Sequence, residues 1–389
     1  MNASRRHQLL SRHTAGLILL CMLALAGCKK EDKADFAGNL YEWDLNDPSV
    51  SGTASETSGS GTSVSVTGVQ NSGSTSKADN SYQPRTLTGP DADASISVVV
   101  TNFPCYDFAR ACLGDMLNGA AGDDEFALSA DLKLLIKPGA EVHSYDPSPA
   151  DIIAVQNADI FIFIGGESDE WIETMLSANP PKGSQIQLRL IDYVEIMLDD
   201  GGDADEHIWT APDNAAFLTG LIGDALTHTC ARKAASFGDE YANVATTLIQ
   251  ENSAAYQRAI QEAGREISSV VNAASVKKIV MGDRFPLAYF AHYYGLEYDA
   301  AFDGCSTAVE ASTATLARLI EEVRNDKLPA VFYIELSTHK IADTIAEAAG
   351  VKTLQLNSIQ NVPLKEFEAG ETWVSLMKKN AEVLKEGLR

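Results

Sequence analysis

The chain of 389 residues is 45% hydrophobic and carries 30 basic against 54 acidic side chains, a formal charge of −24. That is enough chain for two ordinary domains, each with a core of its own. So acidic a surface argues against nucleic acid and anionic lipid as partners, and suits an exported protein or one that concentrates cations.

The first segment, "SRRHQLLSRHTAGLILLCMLALAGC", has a basic start, an apolar run from Ala15 to Ala26 and small residues before a cysteine. It reads as a secretory signal, too short to span a membrane. Leu25, Ala26, Gly27 and Cys28 resemble the sequence read by the lipoprotein signal peptidase. The resemblance implies a signal peptide of residues 1–27, lipid on Cys28, and an extracytoplasmic mature chain tethered to a membrane, at the cell surface or in the periplasm. Losing Arg5, Arg6 and Arg12 takes the charge from −24 to −27. Residues 28–95 are then a flexible stalk. Between Ser51 and Gly89, 23 of 39 residues are Ser, Thr or Gly, a composition that buries too little apolar surface to offset the entropy of ordering. As a Gly/Ser coil its reach is roughly 45 Å.

Regular structure begins at Ile96. "ISVVVTNF" is a β-branched strand signal, and "PCYDFARACLGD", opening on proline and closing near glycine, is a helix. "LKLLIK", "ADIFIFIG" and "QIQLRLI" repeat the strand signal, with helical stretches between them. A second series runs through "KKIVMGD", "GLEYDAAF", "PAVFYIEL" and "VKTLQLNS", with helices at "FPLAYFAHYYG", "STATLARLIEEVRND" and "STHKIADTIAEAAG". Between the series, from Phe237 to about Val271, apolar residues recur at helical spacing: Tyr241, Val244, Leu248, Ala255, Ala259, Ala263, Ile267 and Val270. One helix there would be about 50 Å long. The expected fold is α/β. Two lobes, residues 96–235 and 273–389, each hold a mainly parallel sheet with helices on both faces, and one long rigid helix over 236–272 joins them.

In open α/β sheets the ligand sits beyond the carboxyl ends of the strands. That rule selects Glu141 and His143, His207, Asp283 with Arg284, Glu335, and Asn357. His143 lies on a short loop bounded by Lys137, Pro138 and Gly139 on one side. On the other, Ser148, Pro149 and Asp151 fit a capping box with proline at the first helical position. A ligand ordered in advance loses little entropy on binding, so a preset imidazole suits a tight metal site. His207 sits in "DDGGDADEHIWTAPDNA", where carboxylates such as Glu206 raise its basicity, attract cations and offer an acceptor for the other ring nitrogen.

Three blocks, "PGAEVHSYDPSPADIIAVQNADIFIFIGGESDEWIETML", "DEHIWTAPDNAAFLTGLIGDAL" and "GDRFPLAYFAHYYGL", resemble in this order the signature blocks of the ZnuA/TroA-type metal-binding lipoproteins, solute receptors of ABC importers for zinc and manganese. The resemblance runs from about Ile96 to the C-terminus. It implies a monomer that is not an enzyme. One divalent ion, zinc foremost, then manganese or iron, is held between the lobes and passed as cargo to permease and ATPase subunits. His143 and His207 match two histidine ligands. The other two matching positions hold Arg284 and Asn357. Arginine has no lone pair for a metal, and asparagine is a weak oxygen ligand.

Three readings follow. Glu335, at a strand end, completes the site with a carboxylate, with Asn357 as a further oxygen and Cys305 and Glu310 of "FDGCSTAVEAS" in the same cleft. An ion pair with Arg284 is the competing role for Glu335. Alternatively the two histidines bind an ion weakly with water filling the other positions. Or the ligand is a metal chelate or an anionic small molecule held bidentately by Arg284. A zinc hydrolase built on two histidines and a carboxylate ranks lower, as does an adhesin, for which only the stalk speaks.

Cys105 and Cys112 lie seven apart on one predicted helix, a rise of about 10 Å, and cannot pair without breaking it. Cys230 with Cys305, or buried free thiols, remain. His228, His292 and His339 are read as surface or packing residues with no second ligand three or four positions on. The stretch from Asp199 to Glu206 stands where the family has a histidine-rich loop and is expected to gather cations weakly.

Overall fold

The computed structural model describes residues 95–118, 128–181, 183–198, 202–235, 239–302, 304 and 311–389. The signal peptide, Cys28, the stalk as far as residue 94, and Cys305 and Glu310 lie outside the described residues.

The first sheet is built from β1 (Ser95–Val100), β2 (Ser129–Leu134), β3 (Ile160–Phe163) and β4 (Ile186–Arg189), in the order β2-β1-β3-β4. The second repeats that pattern with β5 (Lys278–Arg284), β6 (Glu297–Phe302), β7 (Ala330–Tyr333) and β8 (Lys352–Gln355), in the order β6-β5-β7-β8. All strand pairs are parallel. This is the arrangement that continuous apolar strands alternating with helices require, since both faces of such a sheet must be covered. All four residues of β3 are buried.

The helices of the first half are α1 (Phe103–Leu113), α2 (Pro149–Asn157) and α3 (Glu170–Ala178), followed by the long pair α4 (Pro212–Ala234) and α5 (Asp239–Ala273). The second half adds α6 (Ala288–Tyr294), α7 (Thr313–Asn325), α8 (Lys340–Ala349), α9 (Leu364–Glu368) and α10 (Trp373–Gly387). One core joins Val99, Phe161 and Phe163 to Val155 of α2 and Ile172 and Leu176 of α3. The other joins Val280 and Val331 to Leu319 and Val323 of α7 and Ile345 of α8.

α5 runs for 35 residues without a break, in the place expected for the joining helix. Its buried face follows the anticipated stripe only in part: Ala263 and Ile267 are buried as expected, and the rest of the covered row is offset. Ala245, Ile249, Tyr256, Ile260, Ala263, Ile267 and Val271 are buried, whereas Val244 is exposed. Two apolar rows lie side by side on this helix, and only the position of its partner decides which one is covered. That partner is α4, which runs antiparallel to it: Asp213 accepts from Gln261 near one end, and Thr219 O accepts from Ser253 Oγ at 3.3 Å further along. Gly223 permits the close approach, because a Cβ there would lie 2.6 Å from Ser253 Oγ. Asn252 and Ser253 are buried on this face because both hydrogen-bond to neighbouring backbone, Asn252 to Cys112 O at 3.2 Å.

One carboxylate ties the halves together. Asp107 of α1 is fully buried and accepts from Arg110 Nε at 2.8 Å, from Trp373 N of α10 at 2.7 Å, and from the Tyr256 hydroxyl of α5. Cys105, Cys112 and Cys230 are buried free thiols, so the Cys230 pairing is not formed. Burial pushes the Cys112 and Cys230 thiols up to about 12, where neither is a thiolate at neutral pH. His339 does have a partner four residues on, contrary to the reading from sequence: its Nδ1 lies 2.8 Å from Asp343 on an exposed helix start.

Candidate metal centre

Loops from the carboxyl ends of both sheets converge on one cluster. His143 follows β2, Ser168 follows β3, Asp205 to His207 follow β4, and Ser358 to Asn361 follow β8. His143, Glu206 and His207 offer donor atoms that all lie within 4.8 Å of one another.

His207 is fully buried. Its Nδ1 lies 2.8 Å from Asp205 Oδ1, which also accepts from the His207 backbone N–H at 2.8 Å. An ionised carboxylate only accepts, so Nδ1 carries the proton and Nε2 presents its lone pair. That Nε2 is buried with no hydrogen-bond partner. Burial pushes the His207 pKa down, but the hydrogen bond and charge of Asp205, with Glu206, outweigh it and raise it above the ordinary value. Asp205 in turn is held below the usual carboxylate range: burial opposes this, and the contacts from His207 prevail. The loop is held from behind, where Asp205 N donates to Met197 O and the Tyr289 hydroxyl donates to Asp205 O at 3.1 Å.

His143 is half-buried, on the loop that sequence reasoning placed between two rigid elements. The capping box at Ser148 and Asp151 is formed, and Lys133 of β2 pairs with Asp151 at 2.9 Å, fixing the far side of the loop. His143 Nδ1 lies 2.9 Å from Ser168 Oγ, whose own proton goes to Glu206 Oε1. The hydroxyl therefore accepts from Nδ1–H, and this ring also presents Nε2. Burial, together with the charges of His207 and Arg284, outweighs Glu206 and holds His143 below the ordinary histidine value. The two rings are 6.5 Å apart, centroid to centroid.

Glu206 is 2% exposed and belongs to the donor group itself, not behind it. Its carboxylate accepts from Ser168 N at 2.8 Å, from Ser168 Oγ, and from Gln360 Nε2 at 3.3 Å. Adjacent residues reach one site here because Asp205, Glu206 and His207 form an irregular loop that turns at His207 (φ −80, ψ 40).

The second lobe contributes differently from what the sequence suggested. Glu335 lies outside the donor group: its carboxylate accepts from Ser358 N and Ser358 Oγ, both at 2.7 Å, and burial pushes its pKa up. Asn357 is fixed by Asn380, which accepts from its N–H and side chain and donates to its carbonyl, and by Gln355, which donates to its Oδ1. Both residues build the loop after β8. Arg284 pairs with Glu141 at 3.4 Å, the partner being on the first lobe and not Glu335. The residue that reaches the cluster is Gln360, whose Nε2 lies 3.4 Å from His143 Nε2. Nothing in its sequence context marks it. Its one signal is a position in the loop after β8, three residues beyond Asn357.

Two imidazole nitrogens and a carboxylate, gathered where two parallel α/β lobes meet, define a two-lobed binding protein with a cation-type donor set. Residues 98–387 match the family described as ZnuA, zinc-uptake complex component A, periplasmic, and the chain belongs to that family. The family is a transport component and not an enzyme. Among relatives, the zinc-binding lipoprotein AdcA of Streptococcus pneumoniae is 27% identical over 312 residues, covering 76% of this chain and 56% of AdcA. The chain thus spans about half the length of that relative. The high-affinity zinc uptake system protein ZnuA of Bacillus subtilis is 23% identical over 309 residues, covering 75% of this chain and 88% of ZnuA. The crystal structure of the Zn(II)-bound ZnuA-like domain of S. pneumoniae AdcA superposes with a TM-score of 0.59 at 28% identity, covering 76% of this chain and 99% of that domain.

Proposed function

We propose that this chain captures a divalent transition ion, zinc foremost, between its lobes and passes it to the permease and ATPase subunits of an ABC importer. The observation that carries the reading is the buried, unpartnered Nε2 of His207, on a residue grouped with His143 and Glu206 by donor atoms that all lie within 4.8 Å of one another. A buried polar atom without a partner is rare and calls for one, and an imidazole whose other nitrogen is held by a carboxylate is oriented as a metal ligand is. Gln360 borders the three donors from the second lobe: its amide nitrogen lies 3.3 Å from Glu206 Oε1 and 3.4 Å from His143 Nε2, where an N–H group donates to those atoms and is not itself a metal ligand. Nitrogen donors also favour zinc over manganese in the general affinity order. The zinc-binding and zinc-uptake names of AdcA and ZnuA support the same ion.

In this proposal lipid on Cys28 tethers a monomer outside the cytoplasm. Among the described residues no helix is long and apolar enough to cross a membrane. Equilibrium titration of demetallated protein with zinc, manganese and iron, beside His143→Ala and His207→Ala, is the direct test. Zinc should bind most tightly and both substitutions should weaken it. Binding no tighter than about micromolar for every ion, or affinity untouched by both substitutions, would sink the proposal. Mass measurement of the mature N-terminus tests the lipid on Cys28.

A further inference from the structure

Asn361 belongs to the loop after β8 of the second lobe, yet its amide is spent on the first. Nδ2 donates to Lys137 O at 3.0 Å and to Ala140 O at 2.8 Å, while Oδ1 accepts from Val362 N at 2.8 Å. The residue is 3% exposed, and every polar atom of its side chain has a partner. The two carbonyls belong to one turn, closed by Ala140 N donating to Lys137 O at 3.0 Å, just ahead of His143.

The loop that carries Asn361 is well anchored on its own lobe. Glu335 holds Ser358 through two hydrogen bonds and Asn380 brackets Asn357, while Ile359, the next residue, takes a left-handed backbone (φ 65). A β-branched residue holds that conformation only where its surroundings enforce it. The same loop crosses to the first lobe twice more, through Gln360 to His143 and Glu206, and through Ser358 O, which accepts from Trp209 Nε1 at 2.9 Å. Asn361 is the crossing that touches only the backbone beneath His143. It needs two N–H donors on one short side chain, which asparagine supplies and a carboxylate does not.

We infer that Asn361 is a positioning residue for His143: the second lobe sets the place of a first-lobe ligand by gripping the Lys137–Ala140 turn. Zinc affinity then depends on the lobes being together, even though among the described residues no charged side chain of the second lobe joins the donor group. The inference rests on reading His143 as a metal ligand.

The test is a double-mutant cycle on the full mature chain, with zinc as the titrant, comparing wild type, Asn361→Leu, His143→Ala and the double variant. Leucine is close in size and donates nothing. It should weaken zinc binding about tenfold, the scale of outer-sphere partners, and should have no further effect once His143 is alanine. Amide hydrogen exchange in the metal-free chain should quicken over residues 137–143 in Asn361→Leu. Should the leucine variant fail to fold, Asn361→Asp keeps the acceptor for Val362 N and removes both donors, and the same loss is expected. Wild-type affinity in Asn361→Leu, full multiplication of the two effects in the double variant, or unchanged exchange would each overturn the inference and leave the metal reading standing. If the wild-type chain binds no zinc, the metal reading falls and takes this one with it.

Discussion

Asp205 Oδ1 lies 2.8 Å from His207 Nδ1 and accepts its hydrogen bond, and the other nitrogen of that ring is buried with no partner. The pair defines tautomer, orientation and basicity together, and the site depends on it without Asp205 touching the ion. Asp205→Ala should therefore lower zinc affinity by about 10–100-fold, the usual effect of losing such a partner. Equilibrium titration measures it. Wild-type affinity would mean that His207 is oriented by something else.

Proton competition gives a second expectation, with its sign fixed by two opposed shifts. A ring protonated on Nε2 cannot bind a cation. Burial pushes His207 down but Asp205 outweighs it, leaving the ring above the ordinary 6.5, whereas burial leaves His143 below it. As pH falls, His207 is protonated first, so affinity declines from above 6.5 and steepens below it when His143 follows. The metal-free protein behaves oppositely. A raised folded pKa gives stability that is present below the unfolded value and lost as pH rises through the folded one. Asp169, pushed from 3.8 to about 7 by burial, acts in the same direction as His207. Thermal unfolding of the metal-free protein should show the Asp169 contribution being lost as pH rises from 3.8 to about 7 and the His207 contribution as pH rises above 6.5. His143, held below 6.5, acts in the opposite direction, while zinc affinity rises. Affinity that is flat across this range would contradict the assignment.

The parts of this molecule that were legible from sequence are local patterns. Alternating β-branched runs and helices predicted both sheets, and Ser148, Pro149 and Asp151 predicted a capping box that the structure forms. His143 and His207 stand out because the blocks around them resemble the signature blocks of the ZnuA/TroA-type lipoproteins; without that resemblance His143 reads as a surface-loop histidine. What stayed hidden depends on which loops meet. Gln360 carries no neighbouring motif, and its proximity to His143 is created by the Glu335–Ser358 and Asn357–Asn380 contacts that fold its loop. Glu335 and Asn357 were credited with ligand roles because they end strands, yet the same position lets them tie down the loop. The stripe on α5 is met at Ala263 and Ile267 and missed at Val244, because two apolar rows overlap and α4, a distant segment, decides which positions are covered.

Glu206 and Glu335 are both buried carboxylates at the lobe interface, with different tasks, and one pair of variants separates them. Glu206→Gln removes a charged donor from the cluster and should weaken zinc binding beyond the 10–100-fold typical of an outer partner. Glu335→Gln leaves the donor group intact and breaks hydrogen bonds to a charged group, so it should chiefly lower stability, by about 1.5–3 kcal/mol. Titration and thermal unfolding of both variants give the comparison. If Glu335→Gln is the more damaging to affinity, the donor set is wrongly drawn.

Gly166 bears on Glu206 from the first lobe. Its backbone is extended (φ −125, ψ −154), a conformation open to any residue, so the requirement for glycine is one of space. A Cβ there would lie 2.3 Å from Glu206 Cβ and 2.5 Å from its Oε2. The nearer atom is not the flexible end of a side chain, and the carboxylate is already fixed by Ser168 N and Oγ, so neither can yield cheaply. Gly166→Ala should therefore cost about 1–3 kcal/mol, as overpacking in a filled interior does, and shift the melting temperature by about 2–4 °C per kcal/mol or less in a chain of this size. It should also weaken zinc binding, because the displaced group is a donor. Conversely, Gly166→Ala in a Glu206→Gly background should cost less stability than in the wild type, since only glycine at 206 removes both the Cβ and the carboxylate that the new methyl meets. A Gly166→Ala variant with wild-type melting and wild-type zinc affinity would show that Glu206 does not stand where this cluster needs it.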